Sequence, residues 1–256
     1  MNRPLAVLLV PALAIDGCGG GGDEKKPKGA STGDDTATQS APKASVGGCK
    51  RVSAPGPKPD GGQKKPASKL SPGKIYDVTL TTNCGAFTIR LDEKRSPATA
   101  ASFAALARKG FFDNTVFHRI VPGFVIQGGD PTGSGQGGPG YSTTDKPAPD
   151  TAYTRGVVAM AKTGAEPPGT AGSQFYVVTG PDAGLPAEYA VLGKVTKGLE
   201  VTGRIGKLGD PQSGDTGTPL QPVVIEKATV TASRRPSARK AKPHRARARP
   251  SRSARP

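Results

Sequence analysis

The 256-residue chain has no tryptophan, three cysteines and two histidines, and it has not one acid after Glu226. Each shortage excludes something. The cysteines form no CxxC and no His/Cys cluster, so no structural zinc site is expected. With His118 and His244 the only histidines, a Ser/His/Asp triad would have to use His118, and no nucleophile elbow accompanies it. The Gly-rich run Gly128–Gly140 lacks the Gly-Lys-Ser/Thr ending of a phosphate loop and reads as a surface loop. Asp92 and Glu93 sit beside Lys94 and Arg95, the pattern of a solvated turn rather than of an acid/base pair. Neither a metal nor a cofactor is called for.

Aromatic residues are also few and confined. All seven Phe and five Tyr fall between Tyr76 and Tyr189, so the flanks lack the large apolar side chains that a core requires. This places one ordered domain, residues 74–232, between two tails. At the N-terminus, Arg3 precedes an apolar run from Leu5 to Ile15, too short to span a bilayer of about 30 Å but matching the apolar segment of an export signal. Residues 1–17 are therefore expected to be removed. The small residues leading to Cys18 and the glycine run after it resemble a bacterial lipoprotein signal, which would make Cys18 the lipidated first residue of an exported, membrane-anchored protein. Asp16 and Ile15 depart from that pattern. The alternative is a buried apolar strand followed by an ordinary cysteine.

Residues 18–73 are rich in Gly, Pro, Lys, Ser, Thr and Asp and have no aromatic, a composition that reads as a solvated, disordered tether. If Cys18 is lipidated, Cys49 in this tether and Cys84 in an Asn-Cys-Gly turn remain, and an exported chain would pair them in a disulfide. The alternative is two unpaired thiols. The tail, residues 233–256, carries ten Lys/Arg from Arg234 onward and thus ten of the sixteen net positive charges. Its prolines argue against a helix and its lack of aromatics against base stacking, so anionic lipid or an envelope polymer is a better partner than nucleic acid. A solubilising tail with no partner is the plain alternative.

Within the domain, Ile75–Thr81 and Ala86–Leu91 are β-rich runs around Thr-Asn-Cys-Gly, the chemistry of a hairpin. Ser96, Pro97 and Gly110 bracket a helix with Phe103, Leu106 and Ala107 on one face. Further strands are expected at 115–120, 124–127, 156–161, 174–178, 190–195 and 223–231, and a second helix near 199–205. Many short strands with two helices indicate a sandwich or barrel.

The run Phe117-His118-Arg119-Ile120-Val121-Pro122-Gly123-Phe124-Val125-Ile126-Gln127-Gly128-Gly129-Asp130 closely resembles the signature of cyclophilins, the peptidyl-prolyl cis-trans isomerases. Three further matches follow in order, at Gly156–Ala161, Gly172–Val178 and Tyr189–Val195, so the resemblance covers Lys74 to Ala232. It implies a mainly β fold, a closed eight-stranded antiparallel barrel capped by two helices, with a substrate groove on one face. It also implies catalytic residues at Arg119, the family's catalytic arginine, and at Phe124 and Gln127. Phe124, Val125, Tyr176 and Leu185 match the proline pocket, while Gln127, Ala161, Lys162 and Gln174 match the groove that holds the peptide backbone.

Several positions depart from the common family residue: Val125 for Met, Tyr176 for Phe, Lys162 for Asn, and Tyr189 for a His of eukaryotic members. Tyr189 is expected to line the groove or to finish a strand. Gly184 stands where a cyclosporin-contacting Trp is frequent, so the departures bear on that drug more than on isomerisation. His118 is expected to be a buried hydrogen-bonding residue, because rotating a prolyl bond moves no proton. The implied function is an exported isomerase acting on Pro-containing peptides and unfolded clients, and nothing calls for more than a monomer. Two readings from other classes compete: a Pro-peptide-binding holdase that needs no turnover, and a chain whose basic tail is its main function.

Overall fold

Thr82 and Gly85 face each other across the two-residue turn Asn83-Cys84, and this hairpin starts the sheet. The computed structural model describes residues 47–235; the signal segment, Cys18, the first part of the tether and the tail beyond Arg235 lie outside the described residues. In chain order the elements are β1 (Lys74–Thr82), β2 (Gly85–Leu91), α1 (Pro97–Arg108), β3 (Thr115–Val116), β4 (Arg119–Val121) and β5 (Val125–Gly128). There follow β6 (Thr143–Thr144), β7 (Val157–Met160), β8 (Thr170–Ala171), β9 (Phe175–Val178), β10 (Val191–Lys197), α2 (Leu199–Gly206), a 3₁₀ turn at Pro211–Thr216 and β11 (Val224–Arg234).

The fold is mainly β, but the expected closed eight-stranded barrel is replaced by an open, curled sheet of nine strands in the order β3-β11-β1-β2-β10-β7-β9-β5-β4. Its two end strands are separated along the chain by only Phe117 and His118, so the sheet must bend round until its edges nearly meet. The segment 115–120, expected as one strand, is split at that corner. Thr115 and Val116 pair with β11, whereas Arg119 to Val121 pair with β5. Phe117 turns inward between them, its N–H donating to the Val223 carbonyl at 2.9 Å. β6 and β8, two residues each, form a separate small ladder.

Side-chain alternation gives the curled sheet two apolar faces. On β9, Phe175 and Val177 enter the main core, while Tyr176 and Val178 belong to a second cluster on the other face. β7 and β10 divide in the same way: Val158 and Leu192 point inward, Ala159 and Val191 outward. The inside is filled by phenylalanines. Phe175 meets Phe103 and Phe117 edge-on at centroid distances of 5.3 and 5.9 Å, a packing whose truncation to Ala costs about 3–5 kcal/mol.

Helix α1 closes one end of the sheet with the buried face Ala100, Phe103, Ala104 and Ala107. Gly110 follows it at φ 68, the left-handed position that ends many helices. Ser96 stands at its N-terminus but its side chain makes no capping bond. Asp145 caps the helix from a distant loop instead, its Oδ2 accepting from the Thr99 N–H at 2.7 Å. Helix α2 buries Val201 and Ile205.

The segment expected as a tether differs from that expectation from residue 47 onward. It forms no helix or strand, yet it is fastened to the domain. Cys49 and Cys84 are joined by a disulfide with both residues buried, and Lys50 exchanges bonds with Asn83, N–H to carbonyl at 2.8 Å and carbonyl to Nδ2 at 2.7 Å. The Lys58 ammonium donates to the carbonyls of Gly110, Phe111 and Asp113 at 3.0, 2.6 and 3.0 Å. The composition was misleading because the segment binds through its backbone, a few charged side chains and one disulfide rather than through a broad apolar face. The domain also runs past residue 232: Ser233 and Arg234 pair with Ile75 and Lys74, and Arg235 makes an ion pair with Glu93.

Candidate active site

The register of four ladders sets Arg119, Gln127, Tyr176, Ala159 and Val191 side by side in one lateral row: Arg119 opposite Gln127, Gln127 opposite Tyr176, Tyr176 opposite Ala159, Ala159 opposite Val191. Cross-strand neighbours share a face, so a motif only nine residues long at its chemical ends becomes part of a site on the outside of the sheet. A cavity of about 210 Å³ lies there, lined by Arg119, Phe124, Val125, Gln127, Ala161, Lys162, Tyr176, Leu185 and Tyr189. Of the residues singled out in the sequence for catalysis and peptide binding, only Gln174 lies outside this lining. It borders a second hollow of about 520 Å³ that shares Gln127, Ala161 and Lys162 with the first.

Arg119 is held from two sides. Its Nε donates to the Asp215 carbonyl at 2.9 Å and its Nη1 to Gln127 Oε1 at 3.3 Å, while its guanidinium carbon lies 5.9 Å from the centroid of the Phe124 ring. Of the five N–H donors of a guanidinium, those on Nη2 and one on Nη1 remain free for a ligand. Burial lowers the Arg119 pKa, and the nearby Asp215 carboxylate opposes this. An arginine starts so high that it stays cationic.

The relay continues from Gln127 Nε2 to Gln174 Oε1 at 3.1 Å, and Gln174 Nε2 donates to the carbonyls of Gly135 and Gly137, both at 2.9 Å. The Gly-rich run read as a surface loop therefore reaches the site. Asp130, fully buried, shapes it from inside by accepting from Thr132 N–H at 2.7 Å and from Gly135 N–H. These bonds hold the Asp130 carboxyl below its ordinary pKa although burial pushes the other way. Gly137 has no room for a side chain, because a Cβ there would stand 2.3 Å from Asp130 Oδ1.

The cavity floor is tyrosine. Tyr153, Tyr176 and Tyr189 contact one another with centroids 5.7 to 6.4 Å apart. The Tyr153 hydroxyl accepts from Tyr189 N–H at 2.9 Å and donates to its carbonyl at 2.7 Å, which places Tyr189 in the lining. Tyr176 keeps a buried hydroxyl without a partner, and burial drives its pKa far up. Lys162 contributes little charge to a ligand. Its side chain is 3% exposed and its ammonium is engaged by Glu188 Oε2 at 3.0 Å and the Glu166 carbonyl at 3.1 Å.

His118 departs from expectation: its Nδ1 is buried and has no hydrogen-bond partner. Burial lowers its pKa, with Asp130 opposing and Arg119 reinforcing. Tyr153 and the Asp215 carbonyl were not singled out in the sequence. Asp210-Pro211, a cap and a first-turn proline, marks the 3₁₀ turn that brings Asp215 in, but nothing local says what its carbonyl will meet. Among the described residues no group of three or more His, Cys, Asp or Glu is placed to hold a metal ion.

A mainly β sheet curled around a phenylalanine core, with an arginine lining a cavity on its outer face, agrees with what known proteins show. Residues 77–230 match the family described as cyclophilin type peptidyl-prolyl cis-trans isomerase/CLD. The chain belongs to that family. It is 39% identical over 162 residues to peptidyl-prolyl cis-trans isomerase CYP18-2 of Arabidopsis thaliana, covering 62% of this chain and 95% of the relative. It is 37% identical over 158 residues to peptidyl-prolyl cis-trans isomerase-like 1 of Emericella nidulans, covering 60% and 94%. Among solved structures, a cyclophilin type isomerase of Cryptosporidium parvum superposes with a TM-score of 0.55 at 32% identity, covering 61% of this chain and 98% of that one. The same parasite enzyme has also been solved in the presence of the dipeptide Ala-Pro, again with a TM-score of 0.55. The chain is thus a cyclophilin-type peptidyl-prolyl cis-trans isomerase.

Proposed function

We propose that Arg119 accelerates rotation about X-Pro bonds by donating to the prolyl nitrogen while the bond is twisted, with the proline ring seated among Phe124, Val125, Tyr176 and Leu185. The planar imide resists rotation by roughly 18–20 kcal/mol because its nitrogen lone pair is delocalised. Twisting localises that pair. A fixed donor aimed at it binds the twisted state more tightly than the planar one, which is the condition for catalysis. The observation that carries this reading is the clamp on Arg119: two donors spent on Asp215 and Gln127, the remainder free beside a cavity that Phe124, Val125, Tyr176 and Leu185 also line. The cavity excludes water from the ring while Gln127 and Gln174 hold the flanking backbone, so that one bond turns. The parasite relative solved with Ala-Pro supports a Pro-containing peptide as the ligand. Exchange NMR on such a peptide tests it: wild type should raise the cis/trans exchange rate far above the uncatalysed tens of seconds, and an unchanged rate at saturating enzyme would refute it.

The place of action proposed here is outside the cytoplasm, with Cys18 carrying the lipid, residues 19–46 as spacer and the basic tail drawn to anionic lipid or envelope polymer. The intramolecular disulfide of Cys49 and Cys84 supports an oxidising compartment. Intact mass of the native protein decides: a chain starting at Cys18 with added acyl mass is expected, and an unmodified Met1 would refute it. For the tail, deleting residues 236–256 should reduce salt-sensitive retention on anionic vesicles, and unchanged retention would refute the proposed partner.

A further inference from the structure

The segment 58–65, which lies before the family match begins at Asp77, runs against the Gly-rich loop as a strap. Lys58 N–H donates to the Pro131 carbonyl at 2.8 Å, Gly61 N–H to the Gly138 carbonyl at 2.9 Å and Gln63 N–H to the Pro139 carbonyl at 3.0 Å. Lys65 Nζ reaches the Ser142 carbonyl at 2.9 Å. The approach is close enough that a Cβ on Gly140 would stand 3.0 Å from Gly61 Cα. In the other direction Gly138 N–H donates to Asp60 Oδ1 at 2.7 Å. Asp60 also lines the 520 Å³ hollow, as do Gln127 and Gln174.

We propose that Asp60 is a positioning and specificity-determining residue of the isomerase, contributed by the strap to the peptide groove. This rests on the isomerase reading above. Two consequences of its placement carry the inference. First, Asp60 and the strap backbone fix the loop whose Gly135 and Gly137 carbonyls hold Gln174, which in turn holds Gln127. Arg119 keeps its separate hold on Asp215, so loss of Asp60 loosens peptide holding more than the chemical step. Second, the charged groups lining the hollow are Asp60, Lys162 and Glu166. The Lys162 ammonium is occupied by Glu188 and backbone carbonyls, and Glu166 Oε2 is bound to Thr163. With Lys162 paired to Glu188, the carboxylates of Asp60 and Glu166 set the charge of the hollow, and the exposed Asp60 adds to a bias toward a cationic side chain close to the prolyl bond. An exposed pair of this kind contributes about two- to fivefold in affinity.

The test uses the full chain and Ala-Pro peptides carrying Lys, Ala or Glu in turn at each position flanking the Ala-Pro pair. Wild type should prefer Lys over Glu about two- to fivefold in kcat/KM at one of those positions. Asp60→Ala should reduce that preference about twofold or more, raise KM for the uncharged peptide about three- to tenfold with a smaller change in kcat, and broaden the Gln174 side-chain amide signal. Asp60→Asn keeps the acceptor without the charge, so it should return the Gln174 signal and the uncharged KM toward wild type while keeping the Lys-to-Glu ratio as low as in Asp60→Ala. Should Asp60→Ala fail to fold, the fall of the Lys-to-Glu ratio in Asp60→Asn decides. Turnover by wild type with KM and the Lys-to-Glu ratio unmoved in the variants would overturn the role of Asp60 alone. No turnover by wild type would overturn the isomerase reading and this inference with it.

Discussion

Replacing Arg119 with Ala removes the donor while sparing the fold, and the structure sets the size of the effect. Arg119 makes two hydrogen bonds, to the Asp215 carbonyl and Gln127 Oε1; Asp215 is exposed and Gln127 lines the cavity, so water can replace the arginine at both and the domain should remain folded. The lost interaction with the twisted prolyl nitrogen is one charge-assisted hydrogen bond, about 1.5–3 kcal/mol. That corresponds to a loss of about ten- to a hundredfold in rate. Arg119→Lys should fall between wild type and Ala: it keeps the charge but lacks the planar fork that binds Asp215 and Gln127 while leaving a donor free. The assay is exchange NMR of a Pro-containing peptide at saturating and subsaturating concentrations, with the amide spectrum of the enzyme as the check on folding. The decrease should appear in kcat as well as in kcat/KM, because the bond is stronger in the twisted state. A folded Arg119→Ala protein within about twofold of wild type would refute the reasoning.

Cys49→Ser opens a loop of sequence separation 35, which chain entropy values at about 4 kcal/mol. The thermal midpoint should fall by about 8–15 °C, and a calorimetric shift under 2 °C would refute the pinning of the strap. Tyr176→Phe deletes a buried hydroxyl that has no partner, so chemical denaturation should show stability unchanged or raised by up to about 1 kcal/mol; a clear loss would mean the hydroxyl is bonded. His118 is held neutral by burial, so its folded pKa lies below the unfolded value of about 6.5. The unfolded chain then binds the extra proton first as pH falls, and stability should decline from about pH 6.5 downward by at most about 1.4 kcal/mol per pH unit until the folded ring also titrates. His118→Gln should flatten that part of the profile, and an identical slope in the variant would refute the assignment.

The site residues were legible because the run Phe117–Asp130 resembles a family signature, and a hairpin with a side-chain period of two explains how such a run becomes one face of a site. Within β4 and β5 side chains alternate inward and outward, so Ile120 and Ile126 enter the core while Arg119, Val125 and Gln127 face the cavity. A contiguous motif of this kind folds back on itself as β4 and β5, and its spacing survives into the site. The hairpin at Asn83-Cys84 and the helix from Pro97 were legible for the same local reasons. The two-residue strands β6 and β8 were not, because two residues show no period. The cap on α1 was equally hidden: Ser96 has the right chemistry at the right place, yet Asp145, far along the chain, supplies the acceptor.

The strap escaped for a deeper reason. Sequence reading weighs side chains by hydrophobicity, and a stretch such as Pro59-Asp60-Gly61-Gly62-Gln63 scores as solvent-loving throughout. Here it is bound by backbone donors meeting backbone carbonyls of a second glycine-rich segment, an interaction that composition cannot register. The same features that made both segments look like loose surface loops, small residues and bare backbone, let the two main chains lie directly against each other at Gly61 and Gly140. Where two such segments face one another across a fold, low apolar content is compatible with fixed geometry. In this chain that geometry reaches Gln174 through the carbonyls of Gly135 and Gly137 and ends on the arginine that the motif identified.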